Sequence, residues 1–206
     1  MDFLIHLWKP IVASGVGVWI ASALAWMVIG HHKKDRDAIP GGPEGEQAFM
    51  DAVTRLNIRP GNYGFPDFCQ NDNLPPAERK QAMKALRQPQ GLLRVWAPTN
   101  MGLNMALTFL FYLVTSAVIG YLAWTVLPHT ATPTAAPAAA ATADGASMFW
   151  KVFQVTGTAG ILAYCFASFP NDLWFQKKRR AMAMDWLDGI VFGLVTGAVF
   201  AGLWPG

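Results

Sequence analysis

Residues 101–127 read MGLNMALTFLFYLVTSAVIGYLAWTVL, a stretch without a single Asp, Glu, Lys or Arg. A helix needs about 20 mainly apolar residues to cross the hydrocarbon core of a bilayer, so this stretch alone predicts a transmembrane helix. Residues 10–30, 152–170 and 189–204 also lack charged side chains. The sequence therefore predicts an all-α membrane protein with four transmembrane helices, at 10–30, 101–127, 149–170 and 187–204.

The composition excludes an ordinary soluble domain. Hydrophobic residues make up 53% of the chain and charged residues 14%, whereas soluble domains carry about 25% charged residues. Tryptophans recur at the ends of the predicted spans, where aromatic belts meet lipid headgroups; they are Trp8, Trp26, Trp96, Trp124, Trp150, Trp186 and Trp204. Because the basic residues flank these spans, the net charge of +3 indicates the lipid bilayer as a partner and not nucleic acid.

Lys and Arg are distributed unevenly among the segments between the spans. The N-terminal tail, 1–9, has only Lys9, and the Ala/Pro/Thr-rich loop 128–148 has neither residue. Most basic residues lie in 31–100 and in the basic loop 171–186. Because cytoplasmic loops are enriched in Lys and Arg, these two segments are predicted to be cytoplasmic. We expect a bacterial inner-membrane protein with the loop 128–148 and both termini in the periplasm.

The long cytoplasmic loop, 31–100, is predicted to carry short amphipathic helices. Residues 45–57 place Phe49, Val53 and Leu56 at helical spacing, and a basic helix is expected at about 76–88. Between them the segment 59–66 is predicted to form a turn followed by an extended aromatic strip. Because the loop has few large apolar side chains, it can form only a thin core of its own. We therefore expect it to pack on the membrane or on a partner.

Four motifs together resemble a family of bacterial membrane proteins of uncharacterised function. They are Ala25-Trp26-Met27-Val28 with the following His31-His32-Lys33-Lys34-Asp35, the segment 60–66 (PGNYGFP), the segment 100–105 (NMGLNM), and the ending 188–205. The likeness extends over nearly the whole chain. It implies a shared four-span architecture and carries no activity.

Small residues at intervals of four are the most specific pattern in the chain. They form one face of the fourth span and one face of the first, namely Gly189, Gly193 and Gly197, and Ala13, Gly17 and Ala21. Small residues at this spacing let two membrane helices approach closely. These faces are predicted to pack against each other within the chain or against a neighbouring protein.

The second and third spans carry polar stripes. The members are Asn104, Thr108, Tyr112 and Thr115 in the second span, and Gln154 and Thr158 in the third. Such side chains more often hydrogen-bond between helices than line a path, so we favour helix packing. A polar path through a small oligomeric transporter or channel is the alternative interpretation.

Histidines and basic residues provide weaker candidates. His31 and His32 could begin a metal site, but adjacent residues on a helix point about 100° apart, and His6 with His129 would come from two unrelated outer segments. We therefore expect no metal site. The basic residues of 171–186 are expected to contact lipid headgroups; they are Lys177, Lys178, Arg179 and Arg180. Asp185 and Asp188 are interpreted as carboxylates that favour a helix N-terminus.

The sequence contains no phosphate-binding glycine loop, nucleophile elbow or zinc-ligand spacing. It predicts a non-enzymatic protein without a cofactor, an accessory or scaffolding subunit that packs against other membrane proteins or against itself. Two alternatives stay open, the small transporter or channel and a metal-binding or redox-associated membrane protein.

Overall fold

The computed structural model describes residues 2–66, 75, 78, 90–129 and 138–205, the last range without the side chains of 138–146. The helices are α1 (Asp2–Ala23, continued by a π-helical turn Leu24–Ile29), α2 (Gly42–Arg55), α3 (Met101–Val126), α4 (Ala138–Ile161, continued by a π-helical turn Leu162–Phe166), α5 (Phe169–Trp174) and α6 (Arg179–Gly202). A 3₁₀ turn spans His31–Lys34, and two strands, β1 (Gly61–Phe65) and β2 (Gly91–Val95), complete the described elements.

Four helices are long and apolar enough to cross a membrane, as the sequence predicts. They cover Asp2–Ile29, Met101–Val126, Ser147–Trp174 and Arg179–Gly202. Three of them are longer than the predicted spans. The first begins at Asp2, so residues 2–9 are helical and not a separate tail, and Pro10 lies inside the helix. The last begins at Arg179, so the second half of the predicted basic loop is helical as well.

The chain divides into two compact units, Met1–Arg36 with Met101–Gly206, and Asp37–Asn100. In the first unit α4 and α6 form the most extensive helix pair, followed by α1 with α3. One apolar cluster is built around Leu7, Ile11 and Phe200. A second, around Val18, Tyr112 and Phe192, lies further along the same helices. The helix faces that these clusters leave exposed carry many large apolar side chains, as expected for a surface in contact with lipid.

Glycines permit the close approach of α4 and α6. A Cβ on Gly193 would lie 2.6 Å from the Ile161 backbone nitrogen, and a Cβ on Gly160 would lie 2.8 Å from the Cα of Gly193. A Cβ on Gly197 would lie 3.0 Å from the Cα of Gly157. The predicted glycine face of the fourth span thus packs within the chain, and its partner residues are Gly157 and Gly160.

The small residues of the first span also make internal contacts. A Cβ on Gly17 would meet the Val195 side chain at 3.2 Å, and Ala13 and Ala21 are half-buried. The tightest contact of α1 is at Gly15, where a Cβ would lie 2.7 Å from the Leu113 side chain. Both predicted small-residue faces are therefore occupied inside the chain.

The second unit contains α2 and a two-stranded sheet. β1 and β2 are antiparallel, with Gly61 opposite Val95 and Phe65 opposite Gly91. The Phe65 ring lies over Gly91, in the space that a Cβ there would occupy. The extended strip expected within 59–66 is thus strand β1, and the sheet is an exception to the all-α prediction. The helix predicted at about 76–88 lies outside the described residues except for Glu78, which is helical.

Candidate metal centre

A glycine ends the first membrane helix and makes a tight turn. Gly30 adopts a left-handed conformation with φ 63° and ψ 25°, which L residues with a Cβ rarely adopt. Its amide nitrogen donates a hydrogen bond to the Ala25 carbonyl, and the Lys33 nitrogen then donates to the Gly30 carbonyl. Residues 31–34 therefore form a 3₁₀ turn, and this turn directs both histidines back toward the start of α6.

Both imidazoles converge on one carboxylate. His31 Nε2 lies 3.0 Å from Asp188 Oδ1, and His32 Nε2 lies 2.9 Å from Asp188 Oδ2. The sequence-based objection that neighbouring histidines diverge does not apply here, because the carboxylate presents two oxygens and each ring contacts a different one. The ring centroids are 4.3 Å apart and the planes are tilted by 39°.

A second carboxylate orients His32 from its other ring nitrogen. His32 Nδ1 lies 2.5 Å from Asp35 Oδ2, and Arg180 donates a hydrogen bond of 2.7 Å to the other Asp35 oxygen. Arg180 also donates to the His31 carbonyl at 2.9 Å. This chain of contacts fixes which way the His32 ring faces, as carboxylates behind metal-bound histidines do.

Burial makes these polar contacts strong. His32 and Asp188 are 7% and 8% exposed, and the Trp26 ring stacks on the His32 ring at 4.0 Å between centroids. Burial lowers the pKa of His32. The hydrogen bonds to Asp188 and Asp35, together with the charges of these carboxylates, raise it by more than burial lowers it, so the pKa lies above its usual value. The pocket therefore favours positive charge between the two carboxylates, whether a proton or a metal ion supplies it.

The donor atoms of His31, His32 and Asp188 all lie within 4.8 Å of one another. Two ligand atoms about 2.05 Å from a tetrahedral ion are about 3.3 Å apart, close to the 3.0 and 2.9 Å found here. Two imidazoles and one carboxylate are the ligand set of several catalytic zinc sites and non-haem iron sites. His32, Asp35 and Asp185 form a second group within the same limit.

Three of the four basic residues of the predicted loop 171–186 make contacts within the protein, namely Lys177, Lys178 and Arg180. Lys177 pairs with Asp185 and, at 3.2 Å, with Asp172, while Lys178 donates to the Lys34 carbonyl at 3.2 Å. Burial lowers the pKa of Lys177, and the hydrogen bonds and charges of Asp185 and Asp172 raise it above the usual value. Of the four residues predicted to contact lipid headgroups, Arg179 is exposed and no contact is described for it.

The other two histidines lie at the opposite ends of these helices and contact one indole. His6 and His129 both stack on Trp124, with ring centroids 5.3 and 3.6 Å away. The two outer segments do bring these histidines to the same side chain. No third His, Cys, Asp or Glu joins them in the described part of the chain.

Most of the predicted polar-stripe residues face outward. Asn104, Thr108, Gln154 and Thr158 are exposed, Thr115 is half-buried, and Thr108 donates to the carbonyl of Asn104 in its own helix. The hydrogen bonds between fully buried hydroxyls join residues outside the predicted stripes. Ser116 donates to Ser14, and Ser14 donates to Thr196, at 3.2 and 3.3 Å. Tyr112 is the buried member of the stripe and donates to Ser22 at 3.1 Å.

An open groove of about 330 Å³ adjoins the cluster. All four membrane helices contribute to its lining, which includes Ser22, Trp26, Tyr112, Tyr164, Asp188 and Phe192. Asp188 belongs to both the groove and the His–Asp cluster. A molecule in the groove would therefore reach the same carboxylate that the two histidines contact.

Sequence reasoning identified the histidines as candidates but did not find their partners. Asp188 was assigned to a helix N-terminus, although α6 begins nine positions earlier at Arg179. Asp35 had no assigned role. A charged residue inside a long apolar helix is the signal that could have marked Asp188, because such residues are frequently functional.

Comparisons of the chain with protein-family models, curated proteins and solved structures find no match. The resemblance to a bacterial four-span family stays a prediction.

Proposed function

We propose that this chain is a membrane protein that binds a divalent first-row transition metal ion through His31, His32 and Asp188. The observation that supports it is the convergence of two imidazole Nε2 atoms on one buried carboxylate. Imidazole and carboxylate together suit zinc, iron and related ions. This is the metal-binding alternative that the sequence left open.

Three protein ligands leave at least one coordination position for water or another ligand. Structural zinc sites use four protein ligands, whereas catalytic sites keep an open position. Asp35 accepts from the ring nitrogen of His32 that faces away from the ion, and Arg180 holds Asp35. The arrangement therefore has the two layers, ligands and orienting partners, that metal centres require.

The accessory-subunit hypothesis loses its main argument. It depended on the small-residue faces of the first and fourth spans, and these faces pack inside the chain at Gly17, Gly193 and Gly197. The hypothesis stays a prediction without a contact that favours it. The inner-membrane location and the periplasmic termini also remain part of the proposal, since they follow from the distribution of Lys and Arg.

Metal titration of the purified full-length chain tests the proposal. Chelator-treated protein in detergent is titrated with Zn²⁺ in competition with a chromophoric chelator, and we expect one equivalent to bind. His31→Ala and Asp188→Asn should each weaken binding by roughly 100-fold or more, exceeding the 10–100-fold typical of outer partners. Melting of the metal-free variants reports whether they still fold.

His6→Ala and His129→Ala are the matched controls, because these histidines lie at the other end of the helices beside Trp124. Both controls should bind Zn²⁺ like the wild type. Wild-type protein that binds no metal, or a bound equivalent that is lost in the His6 and His129 variants and kept in the Asp188 variant, would refute the proposal. If the wild type binds no metal, the His–Asp cluster serves only to hold the 3₁₀ turn 31–34 against α6 through hydrogen bonds.

A further inference from the structure

We infer that the groove beside Asp188 binds a small amphiphilic organic cation, an ammonium group that carries a short apolar chain. This inference goes beyond the proposed metal site and does not depend on it, since the cation is expected to bind the metal-free protein. Three features of the groove support it: the charge of its lining, the aromatic rings in that lining, and the order of the two along α6.

The charged side chains that line the groove are acidic. Asp185 and Asp188 belong to the lining, and no Lys, Arg or His from the described part of the chain does. The basic neighbours Lys177 and Arg180 contact carboxylates from outside this lining. A cation in the groove would therefore lie beside two carboxylates, whereas an anion would be repelled by both of them.

Both carboxylates can accept further hydrogen bonds. Each oxygen of Asp188 is contacted by one imidazole, and a carboxylate has about four acceptor sites. Asp185 is contacted by Lys177 through Oδ2, and Lys177 is shared with Asp172. Within the described residues no hydrogen bond reaches the other oxygen of Asp185. An ammonium group has three N–H donors, so it matches the acceptors that these side chains leave available.

Aromatic side chains form much of the remaining lining. They are Trp26, Phe111, Tyr112, Tyr164 and Phe192. Three of them, Tyr112, Tyr164 and Phe192, form a trio of edge-to-face rings with centroids 5.8–6.0 Å apart. The faces of aromatic rings attract cations, and the rings also shield an alkyl chain from water. The rings therefore favour a positive head group over a neutral or negative one on the same chain.

Along α6 the lining passes from carboxylates to a ring. Asp185, Asp188 and Phe192 lie on one face of the helix, at spacings of three and four residues. Asp185 and Phe192 are two turns apart, about 10 Å along the helix axis. This order suits an amphiphile whose head lies at Asp185 and Asp188 and whose chain extends toward Phe192. The volume of about 330 Å³ is at the lower end of the range of small-molecule sites, so the chain is short.

Equilibrium binding of radiolabelled hexylammonium tests the inference. The full-length, chelator-treated protein is placed in phosphatidylcholine nanodiscs, and empty nanodiscs give the background from partition into lipid. Hexanol and hexanoate are the competitors with a neutral and a negative head group. Because hydrogen bonds to charged groups are stronger than neutral ones, unlabelled hexylammonium should displace the label at concentrations at least tenfold lower than either competitor. Binding that does not saturate above the background, or equal displacement by hexanol or hexanoate, would overturn the inference.

Two pairs of variants locate the bound cation. Asp185→Asn removes one carboxylate from the groove and should weaken hexylammonium binding at least tenfold, whereas Asp51→Asn makes the same change on the exposed face of α2 and should not alter it. Ala163→Phe places a ring in the groove and should abolish binding. Leu162→Phe, at a 57% exposed position outside the lining, should keep it.

Unchanged affinity in Asp185→Asn, or in folded Ala163→Phe, would place the cation outside the groove and overturn the inference. Thermal melting shows whether each variant folds, and Asp185→Asn, which keeps the size of the side chain, decides the question if Ala163→Phe does not. Because no metal is present in these measurements, their failure leaves the metal site standing. Failure of the Zn²⁺ titration in turn leaves the cation site standing.

Discussion

His32 and Asp188 are 156 positions apart in the sequence, yet His32 Nε2 lies 2.9 Å from Asp188 Oδ2. The contact joins the turn after the first membrane helix to the last helix. It depends on two backbone features, the left-handed Gly30 that ends the first helix and the start of α6 at Arg179, about two turns before Asp188. The cluster of His31, His32 and Asp188 is therefore a product of helix packing and not of a local motif.

Asp35 should control metal affinity without touching the ion. Asp35→Asn keeps the size of the side chain but removes the carboxylate that accepts from His32 Nδ1. We expect Zn²⁺ affinity to fall by about 10–100-fold with the stoichiometry unchanged. Asp51→Asn makes the same chemical change on the exposed face of α2 and should leave the affinity as it is. Equal Zn²⁺ affinities for the two variants would show that Asp35 does not contribute to metal binding.

The α4–α6 glycine contact should tolerate no large side chain. In Gly193→Leu the Cβ alone would lie 2.6 Å from the Ile161 nitrogen, and because backbone cannot move aside like a side chain, we expect a loss of about 3 kcal/mol or more in the free energy of unfolding. Detergent-based thermal melting measures this loss.

The control for this substitution must face lipid. Val191 is 41% exposed on the same helix, so Val191→Leu is a suitable comparison. Its melting temperature should match the wild type. Similar melting of both variants would show that α4 and α6 do not pack through Gly193.

The hydroxyls of Ser14 and Ser116 should be energetically coupled. Ser116 donates to Ser14 at 3.2 Å, and both are fully buried. A double-mutant cycle with Ser14→Ala and Ser116→Ala should give a coupling of about 0.6 kcal/mol, typical of hydrogen bonds between membrane helices. The cycle with Ser14→Ala and Thr108→Ala should be additive, since Thr108 bonds to its own helix. Coupling between Ser14 and Thr108, without coupling between Ser14 and Ser116, would show that the predicted polar stripe of the second span makes the contact between the helices.

The orientation predicted from Lys and Arg can be measured by cysteine labelling. On a background without Cys69 and Cys165, Glu46→Cys places a thiol at an exposed position of α2. Ala138→Cys places one in the predicted periplasmic loop. An impermeant maleimide added to intact cells should label position 138 and not position 46 until the cells are permeabilised. The reverse pattern would invert the topology and place the His–Asp cluster on the outer side.

The number and type of the spans were decided by the sequence alone. Long runs such as 101–127 have no charged side chain, and because hydrocarbon cannot solvate charges, such runs can be recognised without knowledge of their neighbours. The glycine spacing at 189, 193 and 197 likewise indicated close packing, because a missing Cβ is a local property. Helix ends were less accurate, since polar residues such as Lys9 and Arg180 can extend a helix beyond the apolar run.

The partners of these residues were decided only by the tertiary structure. Gly193 packs on Gly157 and Gly160 within the chain, and no spacing in α6 distinguishes this from a contact with another protein. On an α-helix the side chains of His31 and His32 would point about 100° apart. In the structure they lie on a 3₁₀ turn after Gly30, and each ring contacts a different oxygen of Asp188. Pairings over 150 residues depend on how four helices pack, and packing is a property of the whole fold that no single segment encodes.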